Sequence, residues 1–470
     1  MDRKQIFSIG IDIGTSTFQM IISQLTIENA LPAYVIPKFQ ITNKEIIYRS
    51  HIYFTPMLNN ELLDMAEIKQ LLKRELSKSG IPHGCIETGA IIVTGEAANK
   101  TNADTAAQEL AEFAGDFVVA IAGPDLEASL AGYGSGASEL SEKHHLTLAN
   151  LDIGGGTTNV AVFKNGNLQD QYALHIGGRL IRFDENNNII YISPKILPFF
   201  KEKGLSFKIG EKISFWQMKT ICYELANVIV NILKRRTLTP GEKTLQIYHE
   251  NKSIPIEGCT ISGGVGELLY SGKSPSTIDE AVPFQDIGLC LASELRQLLI
   301  KNEIPIYNCP EKIQATVIGA GVHSMQLSGS TICYDKELLP LKNIPVVVMK
   351  TDIFTDIPGA IKQEMEKYLK IYQGKIVFYF TGKKSPSYKE LKKAATELWK
   401  FYTIYDLPIL LVFKSDIAKA MGQTLKIISR HSRPLICIDT AEPHKGDYID
   451  FNKAIGETML ITIKTLLYKN

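Results

Sequence analysis

Gly10-Ile11-Asp12-Ile13-Gly14-Thr15-Ser16-Thr17 and Leu151-Asp152-Ile153-Gly154-Gly155-Gly156-Thr157-Thr158 are two copies of one short pattern, and their reading decides the fold. In both, an apolar run ends in Asp-Ile-Gly and a turn of glycine and hydroxyl residues follows. A second apolar run then leaves, Phe18 to Ile22 after the first turn and Val160 to Phe163 after the second. Aligned on Asp12 and Asp152, Thr17 falls on Thr157. A tight turn between two strands needs glycine where φ is positive. It leaves backbone N–H groups and small hydroxyls pointing outward, which suits an anion. A carboxylate at the strand end reaches the Mg²⁺ that accompanies a nucleotide, usually through water. Two such turns, each with its aspartate, imply opposed lobes that close on a single Mg–ATP.

Around these turns runs a chain of 470 residues, too long for one simple core and expected to divide into two or three domains. Hydrophobic residues make up 45% and charged residues 21%, the balance of an ordinary soluble globular protein. With 51 basic and 50 acidic residues it lacks the basic excess of a protein built to bind nucleic acid. Seven cysteines without a Cys-x-x-Cys pair fit buried thiols in a reducing compartment better than disulfides or a zinc site. The N-terminus carries no signal-peptide pattern, and no apolar run approaches the ~20 residues of a membrane span. The cytoplasm is the expected location, with neither membrane nor nucleic acid as a partner.

Outward from the first turn, Phe7 to Ile13, Phe18 to Leu25 and Glu45 to Phe54 read as an antiparallel sheet edge, and Glu61 to Lys78 as a helix ending at Gly80. Ile91 to Thr94 and Phe117 to Ala122 read as buried strands, with a polar helix over Ala103 to Ala114 between them. Pro124 to Gly134 predicts a short helix with Leu126, Leu130 and Tyr133 on one face. Its small residues Ala128, Ser129, Ala131 and Gly132 suit a pivot between lobes, although an ordinary packing helix is the plainer reading. Residues 141–150, with His144-His145, read as a polar connector rather than a metal site. Ser214 to Arg236 predicts a long helix. Gly258 to Ile261 runs as a strand into Ser262-Gly263-Gly264, where a base or a phosphate can lie against backbone N–H groups. Thr316 to Gly321 again reads as a strand entering a small-residue turn. From about residue 335, five apolar runs alternate with helical stretches, as in a further α/β domain. Asp439, Asp447 and Asp450 in that region read as solvated loop acids.

In order, the turn with Asp12, the helix with Asp125, the turn with Asp152, the pair Gly263-Gly264 and the pair Gly319/Gly321 resemble the five nucleotide-site pieces of the actin/Hsp70/sugar-kinase ATPase superfamily. Asp125-Leu126-Glu127-Ala128-Ser129-Leu130-Ala131-Gly132-Tyr133-Gly134 is similar to the connecting helix of the Hsp70 branch. Within the superfamily the whole chain, residues 335–470 included, resembles the ethanolamine ammonia-lyase reactivating factors of ethanolamine-utilisation operons. The most specific stretches are Ala122 through Gly136, Asn150 through Asn159, Ala315 through Ile332, Pro434 to Asp439 and Gly446 to Asp450.

The resemblance implies a two-lobed actin-like ATPase of α/β class, with ribonuclease H-like lobes and an additional C-terminal α/β domain. Residues 1–145, completed by about 315–334, would form lobe I, 146–314 lobe II, and 335–470 a C-terminal domain that contacts the partner. Asp12 and Asp152 would hold hydrated Mg²⁺. Gly14, Thr15, Ser16, Thr17 and Gly154, Gly155, Gly156, Thr157, Thr158 would cradle the phosphates of ATP. Asp125, or else Glu127, would orient the attacking water; Gly263 and Gly264 would line the adenine, with Gly319 and Gly321 as the last nucleotide-site piece. The implied partner is ethanolamine ammonia-lyase, whose adenosylcobalamin belongs to the lyase; the factor would release damaged cobalamin so that an intact cofactor replaces it. The operon type adds the ethanolamine bacterial microcompartment as a site of residence, and self-association stays open. Two departures from the Hsp70 pattern, Asp for Glu at position 125 and no counterpart to its catalytic lysine, predict slow basal hydrolysis. The rival reading is an actin-superfamily small-molecule kinase, which would share all five pieces.

Overall fold

The computed structural model describes residues 3–14, 17–29, 39–59, 62–82, 85–94, 102, 109–110, 118–121, 123–247, 254–322, 325–327, 332–354, 359–372, 375–381, 385–439, 443, 447–455 and 458–465. The first repeated turn joins β1 (Arg3–Ile13) to β2 (Thr17–Asn29), and β3 (Phe39–Arg49) lies antiparallel beside β2. A two-residue strand, β4 (Tyr53–Phe54), also pairs with β2. On the other side β5 (Ile86–Val93) runs parallel to β1, and β6 (Val118–Ile121) parallel to β5. Strand alternation divides β1 by parity. Ile9, Ile11 and Ile13 pack with Ile68, Leu71 and Leu72 of helix α1 (Met65–Ser79), which Asp64 caps at its N-terminus and Gly80 ends at φ 69°. Asp12, of opposite parity, is left on the other face. The helix expected over 103–114 lies outside the described residues except at 109–110.

The second turn repeats the plan. It joins β7 (Thr147–Ile153) to β8 (Thr158–Lys164); β9 (Asn167–Leu174) and the short β10 (Gln246–Ile247) continue antiparallel, and β11 (Gly258–Ser262) pairs parallel with β7. The first sheet, three antiparallel strands followed by two parallel ones, has ribonuclease H-like order; the second repeats its antiparallel trio and adjoining parallel strand, with β10 added at the antiparallel edge. The α/β actin-like class expected from the sequence holds. Ala149, Leu151 and Ile153 face a core with Ile221 and Leu225 of the long helix α4 (Phe215–Leu233), which opens on a Ser214/Gln217 capping box. Asn150 and Asp152 fall on the opposite face.

Between the lobes run α2 (Pro124–Gly134) and α3 (Ala137–His144). The connector expected over 141–150 is therefore mostly regular structure: α3 ends at His145 with φ 55°, and β7 begins at Thr147. After α5 (Gly263–Tyr270) and α6 (Gly288–Lys301) comes α7 (Ala315–Val322), a helix where a strand was expected. A short apolar run does not by itself separate the two. Helix α7 packs against α2 and β1. The strands just beyond it, β12 (Met325–Leu327) and β13 (Cys333–Tyr334), pair within the C-terminal sheet, so these strands do not complete lobe I as expected.

That sheet has eight strands in the order β12-β19-β18-β14-β15-β16-β17-β13, with β14 (Leu341–Val348), β15 (Val377–Phe380), β16 (Ile409–Phe413), β17 (Leu435–Asp439), β18 (Asp447–Ile455) and β19 (Thr458–Thr465). Helices α8 (Ala360–Tyr372), α9 (Tyr388–Tyr402) and α10 (Ala418–Ile428) alternate with its parallel strands. Asp439, Asp447 and Asp450 are buried strand residues, not the solvated loop acids expected. A carboxylate oxygen of Asp439 accepts from the Ala418 N–H in the first turn of α10, where a negative charge meets the positive end of the helix dipole. Tyr448 of β18 packs into a cluster with Ala90 and Ile92 of β5 and Leu126 and Leu130 of α2, joining the C-terminal sheet to lobe I.

Candidate nucleotide site between the lobes

The two turns have the same internal bonding. Gly14 N–H donates to the Thr17 carbonyl at 2.9 Å, and Gly154 N–H to the Thr157 carbonyl at 3.0 Å. Asp12 stands opposite Gln19 across the first hairpin, and Asp152 opposite Asn159 across the second. Each turn is braced from outside. The Thr55 hydroxyl donates to the Gly14 carbonyl at 2.6 Å, while Gly178 and Arg179 N–H donate to the carbonyls of Gly154 and Gly155 at 2.9 and 2.7 Å. A Cβ on Gly177 would lie 2.4 Å from the Gly155 oxygen, so only glycine lets that strand end approach the turn.

Each aspartate accepts from a hydroxyl at the end of the neighbouring parallel strand. Thr94, just past β5, donates to Asp12 Oδ1 at 2.8 Å; Ser262, ending β11, donates to Asp152 Oδ1 at 2.7 Å. Thr316 of α7 donates to Asp152 Oδ2 at 3.3 Å. A buried polar chain continues from there. Asn150 Nδ2 donates to Ser262 Oγ, and Asn150 Oδ1 accepts from Thr260 and from Ser135, the residue that closes α2. The end of the interlobe helix is thus tied to Asp152 by hydrogen bonds.

Burial pushes Asp12 up to about 7, with the Thr94 hydrogen bond opposing and the Asp152 charge adding to the rise. Burial likewise raises Asp152 to about 6, against its bonds from Ser262 and Thr316. Two desolvated carboxylates aimed into one cleft ionise readily only beside a cation. The cleft has a volume of ≈ 350 Å³. It is lined by Asp12, Gly14 and Thr17 from one lobe and Asp152 and Gly154 to Thr157 from the other. Val265, Leu268, Phe284 and Ile313 add apolar lining, beside Gly263 and Gly264. Gly263 has φ 78°, and a Cβ there would lie 2.4 Å from the Ile153 carbonyl oxygen, so the start of α5 presses directly on the Asp152 strand. Among the described residues no group of three or more His, Cys, Asp or Glu could hold a metal ion. Two carboxylates facing one cleft beside two glycine turns would suit a Mg²⁺ that keeps several of its waters.

Not every expected residue reaches the cleft. Thr158 is buried with its hydroxyl on the Ile176 carbonyl at 2.8 Å. Gly319 does not line the cleft, because it faces Leu130 of α2; on the same helix Thr316 takes that place, and Gly321 lies near the helix end. On α2 the half-buried Glu127 lines the cleft, whereas Asp125 is exposed and does not. Thr15 and Ser16 lie outside the described residues. Sequence reasoning missed Gln19, Thr94, Arg179, Glu267, Asp286 and Thr316, all of which line the cleft. Arg179 directly follows a glycine pair that bends back under the second turn, a signal available in the sequence. Asp286 and Phe284 have none.

Among the described residues no helix is long and apolar enough to cross a membrane. A family model described as ethanolamine utilisation protein EutA matches residues 4–469. The chain is 32% identical over 473 residues to the ethanolamine ammonia-lyase reactivase EutA of Salmonella typhimurium, covering 100% of both chains. It is 32% identical over 474 residues to the protein of the same name from Escherichia coli, again covering 100% of both. Among solved structures, an Aquifex aeolicus member of the Ppx/GppA family matches with TM-score 0.44 and 16% identity, over 68% of this chain and 98% of that one. The ethanolamine utilization protein EutJ of Carboxydothermus hydrogenoformans matches with TM-score 0.32 and 13% identity, over 67% and 89%.

Proposed function

The chain belongs to the EutA family of ethanolamine utilisation proteins, and from that membership we propose that it is an ATP-dependent reactivating factor for adenosylcobalamin-dependent ethanolamine ammonia-lyase. The observation that carries this reading is identity running the full length of both chains, residues 335–470 included. It favours the reactivase over the small-molecule kinase. The factor promotes release of damaged cobalamin from the lyase, and intact adenosylcobalamin then takes its place.

The cleft supports Mg-dependent ATP turnover as the driving chemistry. The backbone N–H groups of Gly155 to Thr157 and the hydroxyls of Thr17 and Thr157 would hold the phosphates, on turns that the Gly14 and Gly154 N–H groups close. Asp12 and Asp152 fix the position of the ion through its waters, each steadied by its own hydroxyl donor. Mg²⁺, when bound, supplies positive charge against the phosphate oxygens. Glu127, at the cleft, orients the attacking water and accepts its proton; it has the reach that Asp125 on the other side of the helix lacks. Arg179 supplies a cation on the lobe II wall, its backbone N–H bonded to the Gly155 carbonyl of the turn. Phe284 and Leu268 receive the base, beside Gly263 and Gly264.

Lobe I, on this reading, comprises residues 1–145 with α7, lobe II 146–314, and the C-terminal domain everything from β12 onward. The C-terminal domain meets the lyase. Rotation of the lobes reaches it through α2, on which Tyr448 rests. The factor works in the cytoplasm, with the ethanolamine microcompartment as its place of association.

The test is recovery of activity. Lyase inactivated with cyanocobalamin, mixed with this protein, Mg–ATP and adenosylcobalamin, should regain turnover, and omission of ATP should prevent it. Absence of recovery with a folded factor sinks the reading. A parallel screen for phosphorylated metabolites tests the kinase.

A further inference from the structure

Gln19 stands directly across the β1–β2 hairpin from Asp12. Residues opposite one another on antiparallel strands project from the same face of the sheet, so the carboxamide and the carboxylate share one side. Gln19 is 2% exposed and lines the cleft. Its Nε2 donates to the Ile313 carbonyl at 3.4 Å, while its Oε1 is buried with no hydrogen-bond partner among the described residues. Turning the amide over would set Oε1 against the Ile313 oxygen, acceptor against acceptor, so Ile313 fixes which atom is left over. A buried acceptor without a donor is destabilising, a cost that a leucine or methionine of similar size would avoid.

The deficit is explained by what enters the cleft. Oε1 needs a donor, and the carboxylates lining the same cleft, Asp12 across the hairpin and Asp152, supply none when ionised. Nor do the oxygens of a triphosphate. The strong donors that arrive at this end with a nucleotide are the water molecules on its divalent ion. We propose that Gln19 is a positioning residue for the hydrated divalent cation, its Oε1 accepting a hydrogen bond from a water on the ion. The second lobe carries an echo: Asn159 lies opposite Asp152, and its Oδ1 is likewise buried without a partner. Asn159 does not line the cleft, so the assignment concerns Gln19.

This rests on the nucleotide reading of the cleft, and the test separates the two. Calorimetry on the full chain measures ATP affinity with Mg²⁺ and again with EDTA, and thermal unfolding is recorded without ligand. Gln19→Leu should keep or raise the unfolding midpoint, lose about tenfold in Mg–ATP affinity, and bind ATP in EDTA as wild type does. Gln19→Glu keeps an acceptor at the same place and should retain the magnesium-dependent gain. Gln19→Met stands in for the leucine should that variant not fold. Unchanged Mg–ATP affinity in the apolar variants overturns the assignment, as does an equal loss with and without magnesium. No heat from wild type with Mg–ATP overturns the nucleotide reading instead.

Discussion

Gly134 of α2 and Gly319 of α7 meet where the two helices cross, with no side chain between them. A Cβ on Gly134 would stand 1.8 Å from the Ala315 carbonyl oxygen and 2.6 Å from the Gly319 nitrogen; one on Gly319 would stand 2.0 Å from the Leu130 carbonyl oxygen. Backbone lies on backbone. The same two helices bring Glu127 and Thr316 to the cleft, so this crossing sets the distance between a proposed water-orienting acid and a partner of Asp152.

Gly134→Ala and Gly319→Ala should therefore each force the helices apart. A loss on the order of 3 kcal/mol in urea unfolding is expected, at the upper end for overpacking because the obstacle is main chain. ATP affinity should fall with it. A variant as stable as wild type would show that the crossing relaxes freely.

Asp12→Ala and Asp152→Ala are expected to abolish Mg-dependent ATP turnover and reactivation while the fold survives. Both carboxylates are held above their ordinary range by burial, so their removal does not strip the unliganded protein of a stabilising charge. Wild-type turnover in purified Asp152→Ala protein would refute the assignment.

Glu127 and Asp125 separate cleanly. Glu127→Gln should lower turnover about a hundredfold or more at unchanged ATP affinity, the range of a lost general base. Asp125→Asn should change it less than about twofold. Single-turnover hydrolysis distinguishes them, and the reverse ranking would restore Asp125.

Asp286 gives the protein a pH-dependent stability. Burial raises it from 3.8 to about 6, with the Gly288 N–H and Arg179 opposing. The folded state thus keeps a proton that the unfolded chain has lost. Its contribution is full below about pH 4 and falls away as pH rises through 6, by up to about 1.4 kcal/mol per pH unit for one proton. Asp286→Asn, which can still accept from Gly288, should lessen the slope between pH 4.5 and 6.5 in denaturant titrations, the remainder coming from Asp12 and Asp152. Identical slopes for variant and wild type would rule Asp286 out as the source.

The two hairpins were legible because everything they need is local: strand, aspartate, glycine turn, strand, all within one short window. The choice between Asp125 and Glu127 was not. Two residues on a helix differ by about 200° in direction, and only the seating of Leu126 and Leu130 on Ala90, Ile92 and Tyr448 fixes which one meets the cleft. Gly319 looked like a nucleotide glycine because small residues serve ligands and helix crossings equally well. Thr94, Asp286 and Thr316 arrive through tertiary packing alone. Asp439, Asp447 and Asp450 misled because acids near Gly446 resemble a loop, and only the pairing of β17 and β18 buries them.

Strands β12 and β13 follow one another closely in the chain yet form the two opposite rims of the eight-stranded C-terminal sheet. From Leu327 to Cys333 a polypeptide stretches at most about 21 Å, whereas the rims of a flat sheet of that width would stand about 34 Å apart. The sheet must therefore roll, drawing its borders towards each other like the staves of an unfinished cask. Both borders thus follow closely in the chain on α7, the helix that carries Thr316 to the cleft.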